Sequence, residues 1–348
     1  MPTTPFVSVL MPVRDEGAFI KRSLGAVIAQ DYPRDRLEVI IADGMSSDNT
    51  REVIADIGRE YANVTLIDNP EKIVATGLNR ALRVARGEII IRVDGHCEIA
   101  GDYVRHCVSH LLDDKAECVG GPLETIGETF TAQAIAAAMS SRFGVGGSAF
   151  RVGTKEPRLT DTVAFPAYKR ETIERAGNFD EELVRNQDDE YNYRVRKLGG
   201  RILLSPDVRS RYYSRAGFAS LWKQYFAYGY WKVRVLQKHP RQMRARQFAP
   251  PVFVLALLLL VSTIPFIKLS VLMVAASLLA YAFSDLIAAL AAAGKRKWRL
   301  LLVLPIAFPI IHFAYGSGFL FGLIRFWNRW QFSQRVKVVQ PSQDVASL

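Results

Sequence analysis

With 348 residues the chain has room for more than one domain. Its net charge of +11 is unevenly placed: residues 1–200 hold 25 Lys and Arg against 31 Asp and Glu, residues 201–250 hold 11 against 1, and residues 251–348 hold 9 against 2. The basic excess therefore leads straight into long apolar runs, which argues against nucleic acid and for anionic membrane lipids as its partner. Cys97, Cys107 and Cys118 are odd in number and lack metal-site spacing, so they read as reduced thiols of a cytosolic region. The first residues show no basic-then-apolar leader.

The first half alternates short β-rich runs with helical patterns. Residues 6–13 read as a strand leaving at Arg14-Asp-Glu16 into a helix over about 17–29, which Pro33 ends. A second strand, 37–42, opens into Asp43-Gly-Met-Ser-Ser-Asp-Asn-Thr50, where Ser46, Ser47 and Asp48 are N-cap candidates for a helix over 48–60. A strand at 64–67 follows, then a helix over 74–86 with Gly87 as its C-cap. Next comes the strand 88–93, ending in the polar turn Asp94-Gly-His96. Further strands are expected at 116–126, 163–168 and 201–204, and helices at 132–139, 170–176 and 188–198. The Gly-, Arg- and Lys-rich stretch 142–161 lacks periodicity and reads as a functional or mobile loop. This alternation predicts βαβ units and a parallel sheet.

Residues 217–247 mix Phe218, Trp222, Tyr225, Phe226, Tyr228, Tyr230 and Trp231 with Lys223, Lys232, Arg234 and Lys238, the composition of a helix lying among lipid headgroups. Two apolar runs, 248–267 and 269–293, are long enough to cross a bilayer core of about 30 Å. They are followed by the basic loop 294–299, expected on the cytoplasmic side. A third run, 300–324, contains Pro305, Pro309, His312, Gly316 and Gly318 and precedes a basic tail, so a broken or re-entrant segment stays open beside a full span. Asp285, inside the second run, reads as a structural partner to another helix.

Asp43 and Asp94 both follow expected parallel strands, and Pro12 to Glu16 does likewise, so all face one crevice at the strands' C-terminal ends. The acidic run Asn186-Gln-Asp-Asp-Glu190 opens a helix, where carboxylates also suit the helix dipole. A carboxylate-held cation on a parallel sheet suits a diphosphate ligand, and a further carboxylate can remove a proton from an attacking hydroxyl.

These four motifs, Pro12-Val-Arg-Asp-Glu16, Asp43 to Thr50, Asp94-Gly-His96 and Gln187-Asp-Asp-Glu-Tyr-Asn-Tyr-Arg194, stand in the order found in glycosyltransferase family 2, which residues 5–235 resemble. Val93 to Cys97, Gln224 to Lys232 and the apolar C-terminus look like its succinoglycan-type exopolysaccharide glucosyltransferases. The resemblance implies a GT-A fold, a Rossmann-like, mainly parallel sheet flanked by helices, with C-terminal transmembrane helices. It further implies that Pro12, Asp15, Glu16, Asp43, Ser46 and Asp94 bind the nucleotide-sugar. Asp94, with His96 as a second candidate ligand, would bind Mg2+ or Mn2+, Asp188 would be the general base, and Gln224, Tyr228 and Trp231 would face the acceptor. The family's usual Asp-x-Asp is Asp94-Gly-His96 here, and its Glu-Asp is Gln187-Asp188.

The expected organisation is a cytoplasmic catalytic domain (1–216), an interfacial region (217–247), a membrane domain (248–324) and a polar tail (325–348). The expected activity is inverting transfer of a hexose, glucose first among them, from a UDP-sugar to a polyprenyl-diphosphate-linked saccharide at a bacterial inner membrane, in exopolysaccharide biosynthesis. The alternatives are a polyprenyl-phosphate sugar synthase or a membrane scaffold without catalysis.

Overall fold

The computed structural model describes residues 4–214, 217–294 and 298–330. The basic cluster at 295–297 and the cations of the polar tail beyond 330 lie outside them. The strands are β1 (Val7–Val13), β2 (Leu37–Asp43), β3 (Val64–Asp68), β4 (Ile89–Arg92), β5 (Cys97–Ile99), β6 (Cys118–Gly121), β7 (Leu123–Ile126), β8 (Arg158–Leu159), β9 (Ala164–Lys169), β10 (Ile202–Leu204) and β11 (Ser210–Tyr213). Eight form one sheet in the order β3-β2-β1-β4-β9-β6-β10-β8, and β5-β11-β7 form a second. The large sheet is mainly parallel, with β9 running against β4 and β6, and β8 against β10.

Each central strand feeds two cores because successive side chains point to opposite faces. Val9 and Met11 pack with Ile20, Leu24 and Tyr103 on one face, while Leu10 packs with Ile40, Leu78 and Tyr191 on the other. Pairing in register brings Val13 level with Asp43 and Asp43 level with Asp68, with Leu10 beside Arg92. The chain runs outward from β1 in both directions, to β2 on one side and β4 on the other, so a crevice opens at their C-terminal ends. The predicted turns after residues 13, 43 and 93 all reach this edge.

Several expectations changed. The strand expected over 116–126 divides at Pro122 into β6 and β7, which belong to different sheets. Proline has no N–H for the ladder, so the chain switches sheets there. The helix before Gly87 ends earlier, at Val84, with Ala85 as its cap residue. Gly87 has a different role: its N–H donates to Ser8 Oγ at 2.7 Å, and a Cβ there would collide with the backbone of Ser8. The stretch 142–161 is not a plain loop. It contains two short helices, Arg142–Val145 and Ala149–Val152, before β8. The helix Tyr103–Leu112 and the strands β5 and β11 were not foreseen.

The three apolar runs form three helices, Ala245–Thr263, Leu269–Ala293 and Leu304–Arg325, each long and apolar enough to cross a membrane. The third is continuous, so no broken segment occurs in it. Pro305 lies at its start, where no N–H is needed, and the carbonyl that Pro309 leaves without a donor belongs to that same first turn. Its glycines permit close packing. A Cβ on Gly318 would meet the carbonyl of Phe226, and one on Gly229 the carbonyl of Tyr315, so the Phe218–Lys238 helix crosses the third apolar helix at backbone contact.

That crossing shows that several aromatics and cations of residues 217–247 pack inside the protein rather than facing outward. Tyr230 stacks on Phe321 and Trp231 packs on Phe326, while Lys232 and Arg234 are buried. Arg234 donates to Glu182 at 2.8 Å, and Lys238 reaches Asp180 and Glu182 at 2.5 and 2.7 Å. These cations tie the helix to the catalytic domain. The side chains of the first two apolar helices mostly point outward, and Phe266 at the turn between them is 86% exposed, as lipid-facing surfaces require.

Candidate active site

The loop after β1 is held by the loop after β2. The Asp15 N–H donates to Ser46 Oγ at 2.8 Å, and Asp15 Oδ1 accepts from the Ser47 N–H at 2.8 Å. The Glu16 and Gly17 amides donate to Thr50 Oγ1 and Asp48 Oδ2. Hydrogen bonds from Gly17 and Thr50 outweigh burial at Asp48 and hold its carboxyl below the ordinary range. Asp43 is fully buried, and its carboxylate accepts from Ser46 Oγ at 2.5 Å and Arg51 at 2.6 Å. Asp43, Asp15 and Ser46 thus fasten the rim, while Pro12 and Glu16 line the crevice itself.

Asp94 follows β4 and faces Arg92, whose guanidinium grips the carboxylate through Nε and Nη2 at 2.9 and 3.2 Å. Sequence reasoning missed Arg92, although two residues apart on an extended chain puts both side chains on one face. Arg92 is buried. Burial opposes its charge, but Asp94 and Asp188 more than compensate and hold it firmly protonated. Beside it, His96 Nδ1 donates to Glu16 Oε1 at 2.6 Å. A Cβ on Gly95 would press against Glu16 and Val13 at 2.9–3.0 Å, so glycine lets these loops meet.

The third component is the helix Gln187–Lys197, which begins after Asn186 in the left-handed region at φ 63°. Its consecutive carboxylates fare differently. Asp189 pairs with buried Lys232. Glu190 accepts from Arg194 at 2.7 Å and His239 at 2.8 Å; burial would raise its pKa, but these partners win and hold it low. Among the described residues Asp188 makes no ion pair, and it lines the cavity. Asn186 Nδ2 also donates to the Tyr228 carbonyl at 2.9 Å, so two bonds fasten this helix start to the Phe218–Lys238 helix.

All of this surrounds a cavity of about 1160 Å3 that runs from Pro12, Gly44 and Lys72 past Arg92, Asp94 and Asp188 to Phe253, Tyr281, His312 and Tyr315 of the apolar helices. Gln224 and Tyr228 line it, their side chains joined at 3.0 Å, whereas Trp231 packs on the third apolar helix outside it. His312 links the two parts. Its Nε2–H donates to the Phe143 carbonyl and its Nδ1 accepts from Tyr281, both at 2.8 Å.

Residues 8–175 match the model of glycosyl transferase family 2. The chain is 31% identical over 244 residues to the succinoglycan biosynthesis protein ExoA of Rhizobium meliloti, covering 70% of this chain and 73% of that protein. This chain belongs to glycosyltransferase family 2. The similarity extends into the membrane region: a Methanococcus voltae dolichyl N-acetyl-α-D-glucosaminyl phosphate 3-β-D-2,3-diacetamido-2,3-dideoxy-β-D-glucuronosyltransferase is 26% identical over 92% of this chain and 98% of its own length. Two solved structures share the fold. A Pyrobaculum calidifontis mannosyltransferase, solved with GDP-Man and Mn2+, has a TM-score of 0.59 at 22% identity, over 92% of this chain and 88% of that one. TarS 1-349 of S. aureus, solved with UDP, has 0.51 at 16% identity, over 94% and 93%.

In this family 2 glycosyltransferase no three His, Cys, Asp or Glu side chains among the described residues form a cation cage. The donor set still suits a hard ion that arrives on a diphosphate. Such an ion keeps water and phosphate oxygens as most of its ligands and needs only one or two protein carboxylates. Asp94 offers one; His96 has its Nδ1 engaged with Glu16.

Proposed function

We propose that the protein is a membrane-anchored inverting hexosyltransferase that moves a sugar, glucose first among the candidates, from a UDP-sugar to a hydroxyl of a polyprenyl-diphosphate-linked saccharide. The setting would be exopolysaccharide assembly at the cytoplasmic face of a bacterial inner membrane. The observation that carries this reading is the single cavity that joins the strand-end crevice to three apolar helices, with Asp188 in its wall. The donor lies along Pro12, Glu16 and Asp94, behind which Asp15, Asp43 and Ser46 keep the rim in shape.

The acceptor oxygen attacks the anomeric carbon from the face opposite the diphosphate. The C–O bond to the diphosphate breaks as the new one forms, UDP departs with the electron pair, and Asp188 takes the hydroxyl proton. Attack from the opposite face turns an α-linked donor into a β-linkage. Asp188 suits the base role because, among the described residues, it is the one of the three consecutive carboxylates that makes no ion pair. A bound Mg2+ or Mn2+ would neutralise charge on the diphosphate, with Asp94 as its protein ligand.

The test is transfer by the purified protein in nanodiscs, from a panel of labelled UDP-sugars to lipid-linked saccharide, with the linkage read by NMR. A β-linked lipid product is expected, and an α-linkage or donor hydrolysis without lipid product would overturn the proposal. The basic membrane end of the cavity also favours a second reading, in which a lipid phosphate itself attacks. That reaction needs little help from a base, so near-normal turnover in Asp188→Asn would select it.

A further inference from the structure

The wall of the cavity carries ten Lys or Arg side chains against five carboxylates. Four of the five carboxylates already face a protein partner: Asp94 with Arg92, Asp189 with Lys232, Glu16 with His96, and Asp161 with Arg244 and Arg246. One donor diphosphate at the strand ends cannot neutralise what remains, because the surplus is spread along the cavity. Arg142, Arg151, Lys223 and Arg246 line it on four different elements, Arg142 and Arg246 next to the apolar helices and Arg151 beside Tyr212.

Arg151 is the most informative of the four. It is half-buried, its Nη1 reaches the Thr125 hydroxyl at 3.4 Å, and its guanidinium lies 5.5 Å from the rings of Phe150 and Tyr212. Among the described residues no carboxylate pairs with it. A guanidinium withdrawn from water without a counter-ion is costly unless an anion joins it. Arg142 and Lys223 are exposed and make no ion pair among the described residues, while exposed Arg246 reaches Asp161 at 3.4 Å and its stem lies across Gly146.

Depth completes the argument. Arg142 precedes Phe143, whose ring packs on Phe308 and His312 of the third apolar helix at 5.2 and 4.9 Å. Arg246 stands three residues before the Ala249–Thr263 helix. Both therefore sit where an apolar helix meets water, the level at which a prenyl chain buried in the bilayer presents its phosphate. Resting on the function proposed above, we propose that Arg142, Arg151, Lys223 and Arg246 form a second anion subsite that binds the acceptor's own diphosphate and orients its saccharide toward Asp188.

The experiment compares two acceptors with the same saccharide, one on a prenyl diphosphate and one on an alkyl chain of equal length through a neutral ether. Both are assayed in phosphatidylcholine nanodiscs. Wild type is expected to prefer the diphosphate acceptor about tenfold or more in kcat/KM, through KM, because charge-assisted bonds are lost without it. Arg151→Gln and Arg142→Gln are each expected to remove most of that preference, and Arg151→Lys to restore part of it. UDP affinity and the unfolding midpoint report whether each variant is folded. Equal use of the two acceptors by wild type, or an undiminished preference in folded variants, overturns the subsite. Variants that keep the preference but lose a stimulation by phosphatidylglycerol would assign these cations to bilayer headgroups, which also overturns it. Transfer to a soluble sugar alone would instead bring down the function proposed above.

Discussion

Two facing walls of the cavity treat charge differently. At the strand ends Asp94 lies in the fork of Arg92, Glu16 holds His96, and Asp43 is enclosed by Ser46 and Arg51. Across from them, the start of the Gln187–Lys197 helix carries three adjacent carboxylates, two of which are matched by cations. Neighbours in sequence thus become different chemical groups. Asp189 and Glu190 hold the helix in place, and Asp188 is left facing the cavity, where the proposed reaction needs a proton acceptor. Pre-paired groups set geometry, whereas a carboxylate without a counter-ion is available for chemistry.

The sharpest way to break this contrast is to exchange the roles of the adjacent aspartates. Asp188→Asn is expected to lower kcat by about 10²–10⁴-fold, the range for a lost general base. Asp189→Asn should act mainly on stability, by leaving Lys232 buried without its partner. Turnover and thermal unfolding of both variants decide it; an inactive Asp189→Asn beside a competent Asp188→Asn would reverse the assignment. Arg92→Ala should cost about 10–100-fold in kcat/KM, as expected when the partner orienting a ligating carboxylate is lost. A titration of activity with Mn2+ should then shift to higher concentration, and an unchanged titration would separate Arg92 from Asp94.

A smaller effect tests the seam between the two parts. Gly318→Ala places a methyl group against the Phe226 carbonyl and is expected to destabilise by roughly 1–3 kcal/mol through overpacking. A thermal shift in nanodiscs measures it. The smallest effect concerns pH. Arg234 and Lys238 hold the Glu182 carboxyl down at about 2, against an ordinary value of 4.5. Because its folded pKa is depressed, its stabilising contribution is complete above the unfolded value and fades as pH falls from about 4.5 toward 2. Wild type should lose more stability across that window than Glu182→Gln, and parallel unfolding curves would refute it.

Much of the catalytic rim was legible because it depends on local pattern. Strand runs ending in polar turns put Pro12, Asp43 and Asp94 at one sheet edge, as parallel pairing in register requires. The Phe218–Lys238 helix was read from composition alone, and composition could not distinguish cations that face lipid from those that seek carboxylates. Lys232 meets Asp189 across 43 residues and Arg234 meets Glu182 across 52. Trp231 was misdirected for the same reason: an aromatic ring suits an acceptor groove and a helix crossing equally well.

By itself the sequence determined the βαβ alternation, the three apolar runs and the set of polar turns, because periods of 2 and 3.6 and the length of an apolar run are properties of adjacent residues. Only the tertiary structure decided which of three consecutive carboxylates makes no ion pair among the described residues. It also decided that the third apolar helix packs against the catalytic domain and that one cavity spans both parts. Those outcomes rest on contacts such as His312 to Phe143, 169 residues apart, and on backbones brought together at Gly229 and Gly318, which no local pattern encodes.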